Sequence, residues 1–249
     1  DIRVLASEEN YLYKIVTYVP QSHIEQVRQA MWSAGAGTIG NYDCCSYSSE
    51  GNGTFRAQVG CNPFVGDIDK LHTELELRLE MVVPKDKSGR VVAAIHSAHP
   101  YEEPAIDILP LSNNYEQLGL GCIGELEQPI TETAMLHYIK DKLNVQYIRH
   151  TQTSDRLVER VALCGGSGAE FISQAIREKA GMYITADVKY HDFFNTENQI
   201  VIADIGHFES EQCIKEVFYE QISKNFINFA ILMAECDKSP VKYSYLAED

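Results

Sequence analysis

The sequence predicts an α/β protein in two parts: a ferredoxin-like α+β unit, then a segment of βα layers. Three observations carry this. Residues 11–111 read as strand–helix–strand twice over. From Gly119 onward, short apolar strands alternate with amphipathic helices. Hydrophobic residues make up 45% of 249 positions, enough to build the core of one large domain or two ordinary ones.

The chain begins DIRVLASEEN, already strand-like at IRVL and without a methionine, so an N-terminal truncation is expected. YLYKIVTYV (11–19) alternates apolar and polar positions as a half-buried strand does. Pro20 ends it. SHIEQVRQAMWSAGAG then reads as a helix, with Ser22 and Glu25 spaced as a capping box and Ile24, Val27, Ala30 and Met31 on one face. IGNYDCCSYSSEGNGTFRAQVG places turn residues between two short strand-like runs. ELELRLEMVV (74–83) alternates as a strand, DKSGRVVAAIHSAH is a helix stopped by Pro100, and PAIDILPL a closing strand.

Beyond Gly119, GCIGELE reads as a strand and TETAMLHYIKDKL as a helix capped by Thr131. VQYIRH and VERVALCG are strands, AEFISQAIREKA a helix, and MYITAD and QIVIAD strands. A helix follows GHFESE, and FINFAILMAE and VKYSYL end the chain as strands. In layered folds of this kind, ligands gather in the loops beyond the strand ends.

The formal charge of -15 is the wrong sign for a nucleic-acid backbone or an anionic membrane, and excludes both as partners. A small phosphorylated ligand stays compatible, because a local site can invert the overall field. No apolar run approaches the roughly twenty residues of a membrane helix, and no signal-peptide layout is present. Seven cysteines, at 44, 45, 61, 122, 164, 213 and 236, include no CxxC pair, which suits a reduced, cytoplasmic protein.

Four stretches carry chemistry, each with a structural reading beside the functional one. CGGSG (164–168) follows a strand and precedes a helix; it either cradles an anion or turns sharply for steric reasons alone. TADVKYHDF (185–193) gathers Asp187, Lys189, His191 and Asp192 at a strand end. His191 is a candidate general acid/base, since its reference pKa of about 6.5 lets it exchange protons near neutrality. Asp187 either faces the same cleft or caps the next helix. DIGHFESE (204–211) sets His207 and Glu211 four residues apart, one face of a helical turn, as metal ligands or as an ordinary helix start. HSAHPYEEPAIDI (96–108) holds His96 and His99 three apart, but Pro100 and Pro104 force an extended course, which favours a structural role.

NPFVG, HPYEEPAIDI, CGGSG, TADVKYHDF and DIGHFESE stand in the order found in the Nif-three-like family, the type-two GTP cyclohydrolase I homologues, and the chain resembles that family over essentially its whole length. The resemblance is to the long variant, whose core carries an inserted ferredoxin-like domain similar to the divalent-cation-tolerance (CutA) proteins. It implies that 11–111 is this insertion and that 1–10 with 112–249 form the C-terminal half of the Nif-three-like core. It further implies two divalent metals per complete subunit (zinc, iron or manganese), with His207 and Glu211 as ligands and Asp187 and His191 beside them. The family's other ligands come from a His-His-Pro motif and an Asp in its N-terminal half, and this sequence has neither, so it resembles the C-terminal two thirds of a member. Ala186 stands where many relatives have glycine. By resemblance the protein is a ring-shaped homohexamer and a metal-dependent hydrolase of an unknown small substrate. The competing class is a non-enzymatic metal-binding or regulatory protein whose inserted domain senses a small ligand or mediates assembly.

Overall fold

A short strand, β1 (Ile2–Glu8), precedes β2 (Leu12–Pro20), where Ile15, Thr17 and Val19 point to one side and Lys14 and Tyr18 to the other. A 3-10 turn then leads into α1 (Ile24–Ser33), followed by β3 (Tyr47–Arg56), β4 (Leu71–Pro84), α2 (Ser88–Ala98) and β5 (Ile106–Leu111). The structure is a computed structural model that describes residues 1–196, 198–236 and 238–244. It divides into two units, residues 8–115 and residues 1–7 with 116–249.

In the unit 8–115 the sheet order is β3-β4-β2-β5, every pair antiparallel, which with the βαββαβ chain order is the ferredoxin-like arrangement. One face packs on both helices: Ile15, Val19, Leu79 and Met81 meet Val27 and Met31 of α1 and Val91 and Ile95 of α2, all buried. The two ends of this stretch stand side by side, since Leu12 pairs with Leu111 and the rings of Tyr11 and Tyr115 stack at 5.3 Å.

Two local expectations fail here. Ser22 and Glu25 make no capping box: the 3-10 turn over Gln21–His23 moves the helix start to Ile24, leaving Ser22 Oγ on His23 Nδ1 (2.9 Å) and Glu25 on Arg28. The turn residues of IGNYDCCSYSSEGNGTFRAQVG also divide: Gly40 and Asn41 do turn, between the bridged Ile39 and Tyr42, whereas EGNGT does not. It runs inside β3, with Gly51 opposite Glu76, because the Glu76 side chain folds over Gly53 into space that any Cβ would occupy.

The HPYEEP stretch takes its structural role. His99 is buried; its Nε2 bonds the Tyr18 carbonyl (2.9 Å) while its Nδ1 accepts from the Tyr101 amide (3.0 Å). Burial pushes the imidazole below the usual histidine range, so it sits neutral as a staple between this loop and β2. His96 lies exposed on α2, while His99 is buried.

The other unit contains β6 (Tyr115–Thr131), α3 (Glu132–Leu143), β7 (Arg149–His150), β8 (Leu157–Ser167), α4 (Ile172–Arg177), β9 (Met182–Ala186), β10 (Val201–Asp204), α5 (His207–Glu211) and α6 (Ile214–Asn225). Its sheet runs β1-β6-β8-β9-β10-β7, with β8, β9 and β10 mutually parallel and β6 and β7 antiparallel at their flanks. Every residue of β9 and β10 is buried, as a parallel strand covered on both faces requires. Tyr183 and Ile202 pack toward α4 through Ile172 and Ala175, while Met182, Ile184, Val201 and Ala203 pack toward α3 through Met135 and Ile139. Thr131 caps α3 as expected, its Oγ1 accepting from the Ala134 amide (3.2 Å).

VQYIRH contributes only the two residues of β7. The expected closing strands do not form: 226–235 and 241–244 take no strand, and the remainder of VKYSYL lies outside the described residues. Ile227 and Leu232 of this apolar run stay exposed. Among the described residues no helix is long and apolar enough to cross a membrane.

His99→Leu keeps the volume but leaves the Tyr18 carbonyl and the Tyr101 amide unpaired, an expected cost of about 1–3 kcal/mol. Thr131→Ala loses one cap, about 1 kcal/mol. Urea unfolding of the two variants should rank them in that order.

Candidate metal and catalytic site

Parallel strands deliver their C-terminal ends to one edge of the sheet. Here that edge receives Gly165 and Gly166 from the end of β8, Asp187 directly after β9, and His207 three residues after β10 as the first residue of α5. Two turns aim the side chains: Asp187 adopts φ 53° and Gly206 φ 90°, both in the left-handed region.

Asp204, the last residue of β10, holds both turns. Its carboxylate is 6% exposed and accepts from the Val188 amide through Oδ2 (3.0 Å) and from the Gly206 amide through Oδ1 (3.2 Å). Arg149 of β7 lies 3.5 Å from Oδ2, donates to the Val188 carbonyl and sits over the Phe193 ring.

On this frame, His207 is gripped at both nitrogens. Nδ1 stands 2.6 Å from Asp187 Oδ2, and Nε2 stands 3.1 Å from Glu211 Oε2, the partner one turn along α5. All three side chains are about half exposed, 50% for His207 and 51% for each carboxylate. The hydrogen bond to the Asp187 carboxylate raises the His207 pKa above the usual histidine range; desolvation opposes the rise and Glu211 adds to it. Ser210 ties the cluster to β8, accepting from the Gly166 amide and donating to the His207 carbonyl, each at 2.8 Å.

CGGSG is thereby explained as a packing element. Gly166 has φ 64°, and a Cβ there would collide with Glu211 Oε1. The Gly166 and Gly168 amides already bond Ser210 Oγ and Thr185 Oγ1, so these two N–H groups are not left for an anion.

A cavity of about 650 Å³ opens over the cluster, walled by Asp187, Asp204, His207 and Glu211 and on its far side by Tyr147 and Tyr243. His191 does not line it. The 3-10 turn Tyr190–Thr196 holds this residue at the surface, ring against Tyr190 at 5.6 Å, and among the described residues it makes no hydrogen bond or ion pair with His207. Lys189 is exposed, its amide donating to Asp192 Oδ2 (3.3 Å). Asp187 orients His207 through the contact to Nδ1. Sequence reasoning missed Asp204 and Ser210. The first carried a signal, an acid closing an otherwise apolar strand.

Among the described residues no group of three or more His, Cys, Asp or Glu is arranged to hold a metal ion. Two donors are. The 3.1 Å between His207 Nε2 and Glu211 Oε2 is close to the separation of two ligands each about 2.0–2.2 Å from one ion. The Asp187 contact to the other ring nitrogen is the partner that metal-bound histidines usually have.

A model of the family described as Duf34/NIF3 (NGG1p interacting factor 3) matches residues 16–240. The protein from Halalkalibacterium halodurans named GTP cyclohydrolase 1 type 2 homolog is 39% identical over 226 residues, 90% of this chain and 60% of that protein. Its namesake from Bacillus subtilis is 36% identical over 237 residues, 93% of this chain and 63% of that protein. The crystal structure of a Bacillus cereus protein related to NIF3 superposes with a TM-score of 0.78 at 34% identity, covering 98% of this chain and 66% of that one.

In the metal-free protein, His207 should titrate above about 6.5 in an NMR pH series. Asp187→Asn should lower that midpoint more than Glu211→Gln, because the Asp187 hydrogen bond is the larger cause. The charged His207 stabilises the fold below the unfolded-state pKa, and this contribution fades as pH rises through the raised folded value.

Proposed function

The chain belongs to the Duf34/NIF3 (NGG1p interacting factor 3) family, and on that premise we propose that it carries half of a divalent-metal centre serving hydrolysis of a small, nucleotide-like substrate. The observation that carries this reading is the Asp187–His207–Glu211 row at the edge where β8, β9 and β10 end. Asp187 keeps the proton on Nδ1, which presents the Nε2 lone pair toward Glu211. Glu211 supplies an oxygen beside it, and the bare backbone at Gly166 leaves room for that carboxylate. Zinc, iron and manganese all accept such a mixed pair. A bound ion would lower the pKa of a water and polarise the bond that the water attacks.

The relatives' name supports a nucleotide as substrate class. This chain spans 60% and 63% of the two relatives' lengths, so the full activity is proposed for a longer protein that adds the remaining ligands. The reading includes assembly into a homo-oligomer, a hexamer by family resemblance. Supporting it, α6 exposes Val217, Phe218 and Ile222.

Metal analysis after dialysis tests the proposal. The 249-residue chain should hold zinc or manganese weakly, since catalytic sites normally take three protein ligands. A longer version with the His-His-Pro segment should bind tightly and turn over GTP or a related nucleotide. In it, His207→Ala should release the metal and Asp187→Asn should weaken binding roughly 10–100-fold. Gly166→Ala should also weaken it without removing a donor, by displacing Glu211. Tight, stoichiometric metal that survives loss of His207 would overturn the assignment.

A further inference from the structure

The unit 8–115 holds a cavity of its own, about 590 Å³, within the usual size of small-molecule sites. It lies on the sheet face opposite α1 and α2, because Leu77 and Leu79 pack on the helix side while Glu76 and Arg78 alternate to the other. Gly51 and Gly53 of β3 form its floor, and their missing side chains are what make the hollow. Phe55, Phe64 and Tyr101 wall it, with ring centroids 6.0 Å apart for Phe55–Tyr101 and 6.3 Å for Phe64–Tyr101. Tyr101 is held there by the hydrogen bond its backbone N–H donates to the neutral staple His99.

Two polar groups inside lie side by side, Glu76 and the Tyr101 hydroxyl. Glu76 is 8% exposed, and no ion pair to it is formed among the described residues. The Tyr101 hydroxyl is buried without a well-formed hydrogen bond and lies beside that carboxylate; burial and then Glu76 push the phenol above the usual tyrosine range. The rest of the lining is acidic, with Glu50, Glu102 and Glu103. Among the described lining residues Arg78 is the one cation, and Glu80 engages it at 2.9 Å.

We propose that this cavity binds a small organic cation, an amine or amidinium with an apolar body, its charge paired to Glu76 and its body held against Phe55, Phe64 and Tyr101. A carboxylate buried without a counter-charge is costly, and a bound cation removes that cost. Aromatic faces around the same space attract a cation through their quadrupoles, and the acidic rim repels anions. The site shares no residue with the metal cluster, so it stands or falls independently of the proposed hydrolase.

Benzamidine is a suitable probe, with benzamide as its neutral isostere and benzoate as the anionic one. Titrated into the whole ¹⁵N-labelled chain, benzamidine should produce saturable shifts at the Gly51 and Gly53 amides, and the other two should not. Glu76→Gln should weaken binding roughly ten- to a hundredfold, the worth of a charge-assisted contact. Gly53→Ala, which pushes Glu76 out of its place, should weaken it as well. An absence of saturable shifts at those glycines, an equal response to benzamide, or undiminished binding in both variants would overturn the proposal.

Discussion

The parallel pairing of β8, β9 and β10 is the constraint from which the candidate metal site follows. Three strands running the same way must end on the same edge, and each must return by a connection outside the sheet. Helices therefore cover both faces, the strands become wholly apolar, and polar chemistry is expelled to the loops at their ends. Asp187 follows β9 and the His207–Glu211 pair follows β10, and the shared edge of the sheet brings the two together.

Carboxylates in this chain divide by burial into different tasks. Asp187 and Glu211 are half exposed and keep open the positions beside an imidazole. Glu132 is 1% exposed and fully engaged, by Arg156 Nε (2.9 Å) and the Ser154 amide (2.6 Å), so it is spent on structure. Glu76 is nearly as buried, yet among the described residues it has no cation, and that difference separates it from a packing acid.

Much of this was legible in residues alone. Alternation located β2 and β4, Thr131 announced its cap, and the i, i+4 spacing of His207 and Glu211 survived as a real contact. The failures share a cause: local pattern does not say who the neighbour is. EGNGT has turn composition, yet β4 supplies a ladder that holds it extended. FINFAILMAE has strand composition, yet it runs without a strand partner among the described residues. Asp204 acts through two backbone amides, a role that no side-chain motif records.

The Asp204 clamp also bears on motion. The amides of Val188 and Gly206 belong to different loops but share one buried carboxylate as acceptor. Neither loop can swing outward without disturbing the acceptor that secures the other, so the two form one cooperative opening unit. Their amide protons would exchange with solvent on a common timescale, and the gap between Asp187 and His207 would open and close as a single event.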